Sequence, residues 1–300
     1  MKPRISVISV SCNQSRFLER SLCSVIDQAY ANLEHIVVDR GSTDDSVHVI
    51  GLYADQVDHW INLPHDSHVD AINAGLARAT GDIIAVLDGA DVYPVGTLDS
   101  VAAHWSRLGS PGWVVGHCQR IGAFDEALGM DYAFRPRCLD SFLRHDSGVI
   151  PVSSTFISGD CMRHHGPFDA ALQHAYHYEY CCRLIADGMF PLILDDVFAS
   201  RRDVHAPCCA TDTVRRGLEH LDAAWRFADT LPQPRRDALW SNIDRRRRIF
   251  TLAQAEVVGK GARQFMLHEL MRHPWWLNDH QIRHTLLHGV AHPLPPEMAA

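Results

Sequence analysis

A chain of 300 residues can bury a sizeable core, and this length suits one large domain with an appendage better than two equal domains. Hydrophobic residues at 46% and charged residues at 21% are ordinary for a folded globular protein, and a net charge of -8 excludes nucleic acid as the main partner, because phosphate binding needs a basic face. The nine cysteines form no CxxC pair, and the neighbours Cys181-Cys182 and Cys208-Cys209 cannot each close a local disulfide, so reduced thiols and a cytoplasmic setting are expected. The N-terminal Met-Lys-Pro-Arg and short apolar run lack a signal peptide's long apolar region, and no stretch reaches the length of a membrane span.

In chain order, the first hundred residues alternate between two periodicities. Arg4–Ser11 reads as a buried strand, Phe17–Gln28 as a helix, and His35–Asp39 as a second strand ending on an acid. Ser42–Tyr53 follows as a helix, with Ser42 or Thr43 as N-cap and Asp44 and Asp45 in its first turn. Val57–Leu63 is a short third strand, Val69–Ala79 a helix, and Asp82–Leu87 a fully apolar fourth strand running into Asp88-Gly89-Ala90-Asp91. Such strand–helix repetition predicts βαβ units and a mostly parallel sheet with helices on both faces, an α/β fold. Ligands of such sheets sit beyond the carboxyl ends of the strands, where Asp39, Asp88 and Asp91 fall.

Beyond residue 112 the pattern loosens. Gly112–His117 and Gly148–Ser158 read as strands separated by a variable stretch, His177–Gly188 as a helix and Met189–Leu194 as a short strand. From Thr211 onward the chain reads as amphipathic helices broken near Pro232-Gln233-Pro234 and His273-Pro274. The run Arg245–Arg248 is expected to be a solvated helix face. Among the twenty histidines, His164-His165 and His174 with His177 are the closest groupings. With no Cys or carboxylate at ligand spacing they read as surface or satisfied side chains.

An ordered series of motifs resembles family 2 glycosyltransferases. It comprises Ile5-Ser6-Val7-Ile8 with Asn13, Phe17-Leu18, Ser21-Leu22 and Gln28; then Glu34 to Ser46; then Asp70-Ala71-Ile72-Asn73-Ala74-Gly75; then Ala79 to Ile84; then Leu87 to Tyr93. The similarity is dense over residues 3–110, looser over 150–205 and absent from the C-terminal third. It implies a GT-A fold divided into a nucleotide-sugar half (1–110) and an acceptor half (111–206), to which the helical pattern adds a C-terminal extension (207–300). It also implies inverting transfer from a nucleotide-diphosphate sugar, most often a UDP-sugar, to a saccharide or lipid-linked acceptor.

On that footing the donor would be met by Ser9, Ser11, Asn13, Asp39, Asp70, Asn73, Asp88 and Arg202, with Asp39 accepting a base N–H. A Mg²⁺ or Mn²⁺ ion on the diphosphate would be held by Asp88, Asp91 and His205. The chain departs from the family pattern at four places. Ala90 stands where an acid is usual, His65 follows Pro64, Arg40 replaces a glycine, and His177 occupies the base position of a helix reading His177-Tyr178-Glu179-Tyr180-Cys181-Cys182-Arg183-Leu184. A histidine can take the acceptor's proton, with Glu179 as the weaker alternative. The departures leave a second reading open, a catalytically silent relative that binds a nucleotide sugar or a partner transferase. A nucleotidyltransferase would need a glycine-rich basic loop, which Ser11-Cys12-Asn13-Gln14 is not. Trp275-Trp276 and the basic stretch of the C-terminal helices fit core packing, a homodimer contact or a peripheral membrane surface.

Overall fold

The computed structural model describes residues 2–64, 67–109, 111–144, 150–203, 210–258 and 262–288. They fall into two compact units, Met1–Val204 and His205–Ala300.

In the first unit, β1 (Ile5–Ser11), β2 (Leu33–Asp39), β3 (His59–Asn62) and β4 (Ile83–Asp88) are all parallel, β1 lying between β2 and β4 and β3 outside β2. Their β-branched apolar runs suit strands buried on both faces. One face carries Val7, Val37 and Leu87, which pack with residues of α1 (Ser15–Ile26), α2 (Ser46–Leu52) and α4 (Thr97–Arg107). Against Ile8 and Val38 on the other face lies α3 (His68–Leu76), and its approach is set by a missing side chain. A Cβ on Gly75 would come within 2.4 Å of Ile8 Cγ2.

The expected mostly parallel sheet is present in these four strands, and beyond them the sheet is mixed. The remaining strands are β5 (Trp113–Ile121), β6 (Ala127–Asp131), β7 (Thr155–Ser158) and β8 (Leu192–Arg202). The order is β3-β2-β1-β4-β7-β5-β6, with β7 antiparallel to both β4 and β5, β6 antiparallel to β5, and β8 parallel to β5. The short link from β5 to β6 allows only an antiparallel pair. The segments α5 (Leu139–Arg144), α6 (Gly159–His165) and α7 (Tyr176–Ala186) connect this half. Several boundaries need correction: among the described residues the strand expected over Gly148–Ser158 is confined to Thr155–Ser158, and that expected over Gly112–His117 runs on to Ile121. The second helix starts at Ser46, not Ser42, because the side chains of Asp39 and Asn13 hold residues 42–44 in a turn. The last strand, expected to end at Leu194, runs on to Arg202.

The second unit consists of α8 (Ala210–Ala228), α9 (Arg235–Val258), α10 (Ala262–Arg272), a 3-10 turn at Pro274–Asn278 and α11 (His280–His288). Ala255, Met266, Leu270, Trp276 and Ile282 form its core. Trp276 is buried and stacks on His273 at 4.4 Å, whereas Trp275 is half exposed; both indole N–H groups donate to Asp244 Oδ1, at 2.9 and 2.8 Å. The arginine run is not uniformly solvated. Arg247 is buried and bonded to Asp222, and Arg248 donates to Asp279 at 2.9 Å. No helix among the described residues is long and apolar enough to cross a membrane.

Candidate functional site

The site is built where β1, β2 and β4 end side by side, with Ser11 opposite Asp39 and Val10 opposite Asp88. Asp39 is fully buried and engaged by its own loop. Its Oδ2 accepts from the N–H groups of Gly41 (3.0 Å) and Ser42 (2.9 Å), and its Oδ1 from Ser42 Oγ (2.5 Å). Asn13 takes a left-handed conformation (φ 52°), which asparagine tolerates better than most residues. From there its Oδ1 accepts from Thr43 N–H at 2.8 Å, while its own N–H donates to Ser42 Oγ at 2.9 Å. The first N–H groups of α1 are capped from the same loop, Gln14 by Ser46 Oγ and Ser15 by Asp44, each at 3.0 Å. The loops after β1 and β2 are therefore interlocked.

The two candidate serines of β1, Ser9 and Ser11, have different fates. Ser9 is buried with its hydroxyl 2.9 Å from His35 Nε2, and burial pushes His35 down to about 4. Ser11 Oγ is buried with no hydrogen-bond partner among the described residues, as is Gln14 Oε1. A side chain on Gly89 would strike both, with Gln14 Oε1 at 2.5 Å and Ser11 Cβ at 3.1 Å from its Cβ position.

In the loop after β4, half-buried Asp88 uses Oδ1 to accept from Gln14 Nε2 (2.5 Å) and Ala90 N–H (3.1 Å). Asp91 is buried; Ser153 Oγ and the Arg202 N–H (2.9 Å) donate to its two oxygens. Burial, and then the charge of Asp88, push the Asp91 carboxyl up to about 7. The Val92–Ser200 backbone pair, at 3.0 and 2.8 Å, stitches this loop to β8. Arg202, expected to meet a diphosphate, is turned inward. Its guanidinium donates to Ala90 O (3.0 Å), Gly122 O (2.7 Å) and Asp125 (2.5 Å), and stands over the Phe17 ring. His205 lies outside the described residues.

On α3, Ser67 is the N-cap: its hydroxyl accepts from the Asp70 N–H at 3.0 Å and donates to the Asp70 carboxylate at 2.6 Å. Asn73 is committed to the protein as well. Its amide both donates to Phe168 O (2.9 Å) and accepts from Phe168 N–H (3.0 Å). At the start of α7, His177 is buried with Cys181 Sγ at 3.9 Å, and Glu179 is paired with Arg183 at 2.9 Å.

Two residues that sequence reasoning passed over complete the cluster. His68 Nε2 and the Tyr176 hydroxyl lie 3.4 Å apart across the gap between α3 and α7. Burial, then Asp88 and Asp91, push the Tyr176 phenol up; burial lowers His68, with Asp88 opposing and Arg40 assisting. Asp88 is thus the electrostatic centre of a group containing Asp91, His68, Tyr176 and Arg40. The available signal was position. His68 opens a helix, and Tyr176 directly precedes the residue read as the base.

A parallel nucleotide-binding-type half followed by a mixed half, with acids after the fourth strand, is the architecture of a GT-A glycosyltransferase. Solved structures share it. TarS of S. aureus (residues 1–349, with UDP-GlcNAc) superposes with a TM-score of 0.61 at 14% identity, covering 96% of this chain and 82% of that one. A mannosyltransferase of Pyrobaculum calidifontis, in complex with GDP-Man and Mn²⁺, gives 0.57 at 17% identity, over 95% and 84%. A longer TarS structure gives 0.61 at 13% identity, this chain covering only 55% of its length. The model of glycosyl transferase family 2 matches residues 6–144, and an uncharacterized glycosyltransferase of Mycobacterium tuberculosis is 31% identical over 186 residues, covering 60% of this chain and 68% of that protein. The chain belongs to glycosyl transferase family 2.

Proposed function

We propose that this protein transfers a sugar, with inversion, from a nucleotide-diphosphate donor to a saccharide or lipid-linked acceptor. The donor would lie across the ends of β1, β2 and β4. The observation that carries the reading is Asp88, a half-exposed carboxylate at a strand end, beside two buried polar atoms, Ser11 Oγ and Gln14 Oε1, that lack partners among the described residues. Unpaired buried polar atoms are costly, and a ligand's hydroxyl and N–H groups would satisfy them. The UDP-GlcNAc and GDP-Man in the related structures support a nucleotide sugar, and a UDP-sugar is the first to test.

The residues present fit a hard divalent cation in one mode only. Ala90 offers no ligand and Asp91 is engaged by Ser153 and Arg202, so Asp88 Oδ2 would be the protein's oxygen, with diphosphate oxygens and water completing the shell. Magnesium is commonly bound in that way, and the Mn²⁺ of the mannosyltransferase supports a metal. When bound, the ion would offset the charge that develops on the leaving diphosphate. His177, next to Tyr176 at the start of α7, would accept the acceptor hydroxyl's proton. Exposed Leu267, Met271, Trp275 and Leu277 in the second unit support a peripheral contact with a membrane bearing the acceptor, from the cytoplasmic side.

One set of observations favours the silent alternative, namely Ala90 together with the inward commitments of Asp39, Asn73 and Arg202. Calorimetry with UDP, with and without Mn²⁺, combined with a donor-hydrolysis assay, separates the two. For an active enzyme, Mn²⁺ tightens UDP binding, Asp88→Asn abolishes that gain, and His177→Ala spares binding while lowering turnover by about two to four orders of magnitude. Metal-blind binding with no hydrolysis would establish the alternative.

A further inference from the structure

Away from that rim, the fold brings His164-His165 together with an acid that is distant in the chain. Asp187 caps the C-terminal end of α7 beside the C-terminal end of α6, and the ligand atoms of His164, His165 and Asp187 all lie within 4.8 Å of one another. We propose that these three side chains form a metal site for a borderline first-row divalent cation of the Zn²⁺ class.

The argument turns on which nitrogen of His165 carries its proton. Nε2 lies 3.4 Å from Met189 Sδ, within reach for an N–H donating to sulfur. Nδ1 lies 3.6 Å from Asp187 Oδ2, too long for a hydrogen bond. With the proton on Nε2, Nδ1 is an acceptor placed 3.6 Å from a carboxylate oxygen. Two acceptors in that arrangement repel, unless a cation sits between. The spacing suits one, since ligand atoms about 2.0–2.1 Å from a tetrahedral zinc are about 3.4 Å apart. The His164 ring meets that of His165 edge-on with centroids 4.9 Å apart, which brings a second imidazole to the same point.

The three ligands differ in how far they are fixed. The His165 side chain is 6% exposed and held on several sides, whereas that of Asp187 is 60% exposed and can turn onto an ion. Two imidazole nitrogens and one carboxylate select zinc, copper or nickel over magnesium or calcium. This set therefore differs in kind from the all-oxygen environment at Asp88. A fourth position would be left to water. The bound ion would tie the end of α6 to the end of α7, the helix whose first turn carries His177.

The test uses the whole chain, stripped with chelator and titrated with Zn²⁺ and then Co²⁺. The expected result is one zinc equivalent bound at micromolar concentration, a rise in Tm, and the visible absorption of four- or five-coordinate Co²⁺. His164→Gln and Asp187→Asn, both at exposed positions, weaken zinc at least about tenfold and remove the spectrum and the Tm rise. Asp88→Asn keeps all three. The proposal is overturned if the two site variants bind zinc as the parent does, if Asp88→Asn alone removes the equivalent, or if the parent takes up no zinc.

Discussion

Burial of His35 makes an acid-labile joint in the sheet, and its size can be worked out. The imidazole is fully buried, its Nε2 bonded to Ser9 and its Nδ1 without a partner among the described residues, and burial pushes its pKa from the ordinary 6.5 to about 4. The folded state therefore prefers the neutral ring. The stabilisation is fully present above the unfolded value and is lost as pH falls from 6.5 towards 4, where the unfolded chain takes up a proton that the folded chain refuses. Between pH 7.5 and 5 this one group should cost about 2 kcal/mol, out of a total near 3 kcal/mol when the full displacement is counted. His35→Gln keeps a polar partner for Ser9 and removes the titration. Urea unfolding of parent and variant at pH 7.5, 6 and 5 isolates the effect, because the other histidines titrate in both and cancel in the difference. The parent should lose about 2 kcal/mol more than the variant over that range. Parallel stability curves would refute the reasoning.

Three further outcomes are expected. Gly75→Ala should destabilise the first unit by up to about 2 kcal/mol, because overpacking against Ile8 (about 1–3 kcal/mol) opposes and outweighs the gain in helix propensity (about 1 kcal/mol), and Ile8→Ala in the same chain should relieve part of the loss; thermal denaturation of the single and double variants checks it. Arg202→Gln should cost about 2–4 kcal/mol in chemical unfolding while the folded fraction binds UDP as before, since its donors serve Ala90, Gly122 and Asp125; weakened UDP binding at unchanged stability would return Arg202 to the diphosphate. For Asp91, raised to about 7, the sign is opposite to that of His35. Its stabilisation is present below the ordinary carboxylate value and lost as pH rises through 7, so in chelator Asp91→Asn should flatten a decline of about 2–4 kcal/mol between pH 4 and 8.

The parallel half of the fold was legible because β1, β2 and β4 are apolar runs buried on both faces, a pattern that needs no knowledge of partners. The mixed half was not. Ala127–Asp131 has no fully buried residue and contains a glycine, so it carries no alternation, and it is a strand only because β5 precedes it closely. The long β8 hides behind Asp195 and Asp196, which are tolerated because they lie exposed. In the site, Asp88 could be read directly from its place at a strand end. The commitments of Ser9, Asn73 and Arg202 could not, since each depends on a group far away in the chain: the His35 ring, the Phe168 backbone, and the Gly122 and Asp125 turn. Residue type alone marked these side chains as able to bond. Only the fold says with what.

The mutual capping of the segments after β1 and β2 has a consequence for evolution as well as for binding. Asn13, Ser42, Asp44 and Ser46 work as tumblers of one lock, so a change at any of them is felt on the neighbouring strand's crest, and neither segment can drift alone. On the proposed reading, a donor arriving there would meet a threshold whose order was settled when the chain folded, and it would not spend its own affinity on freezing loose peptide.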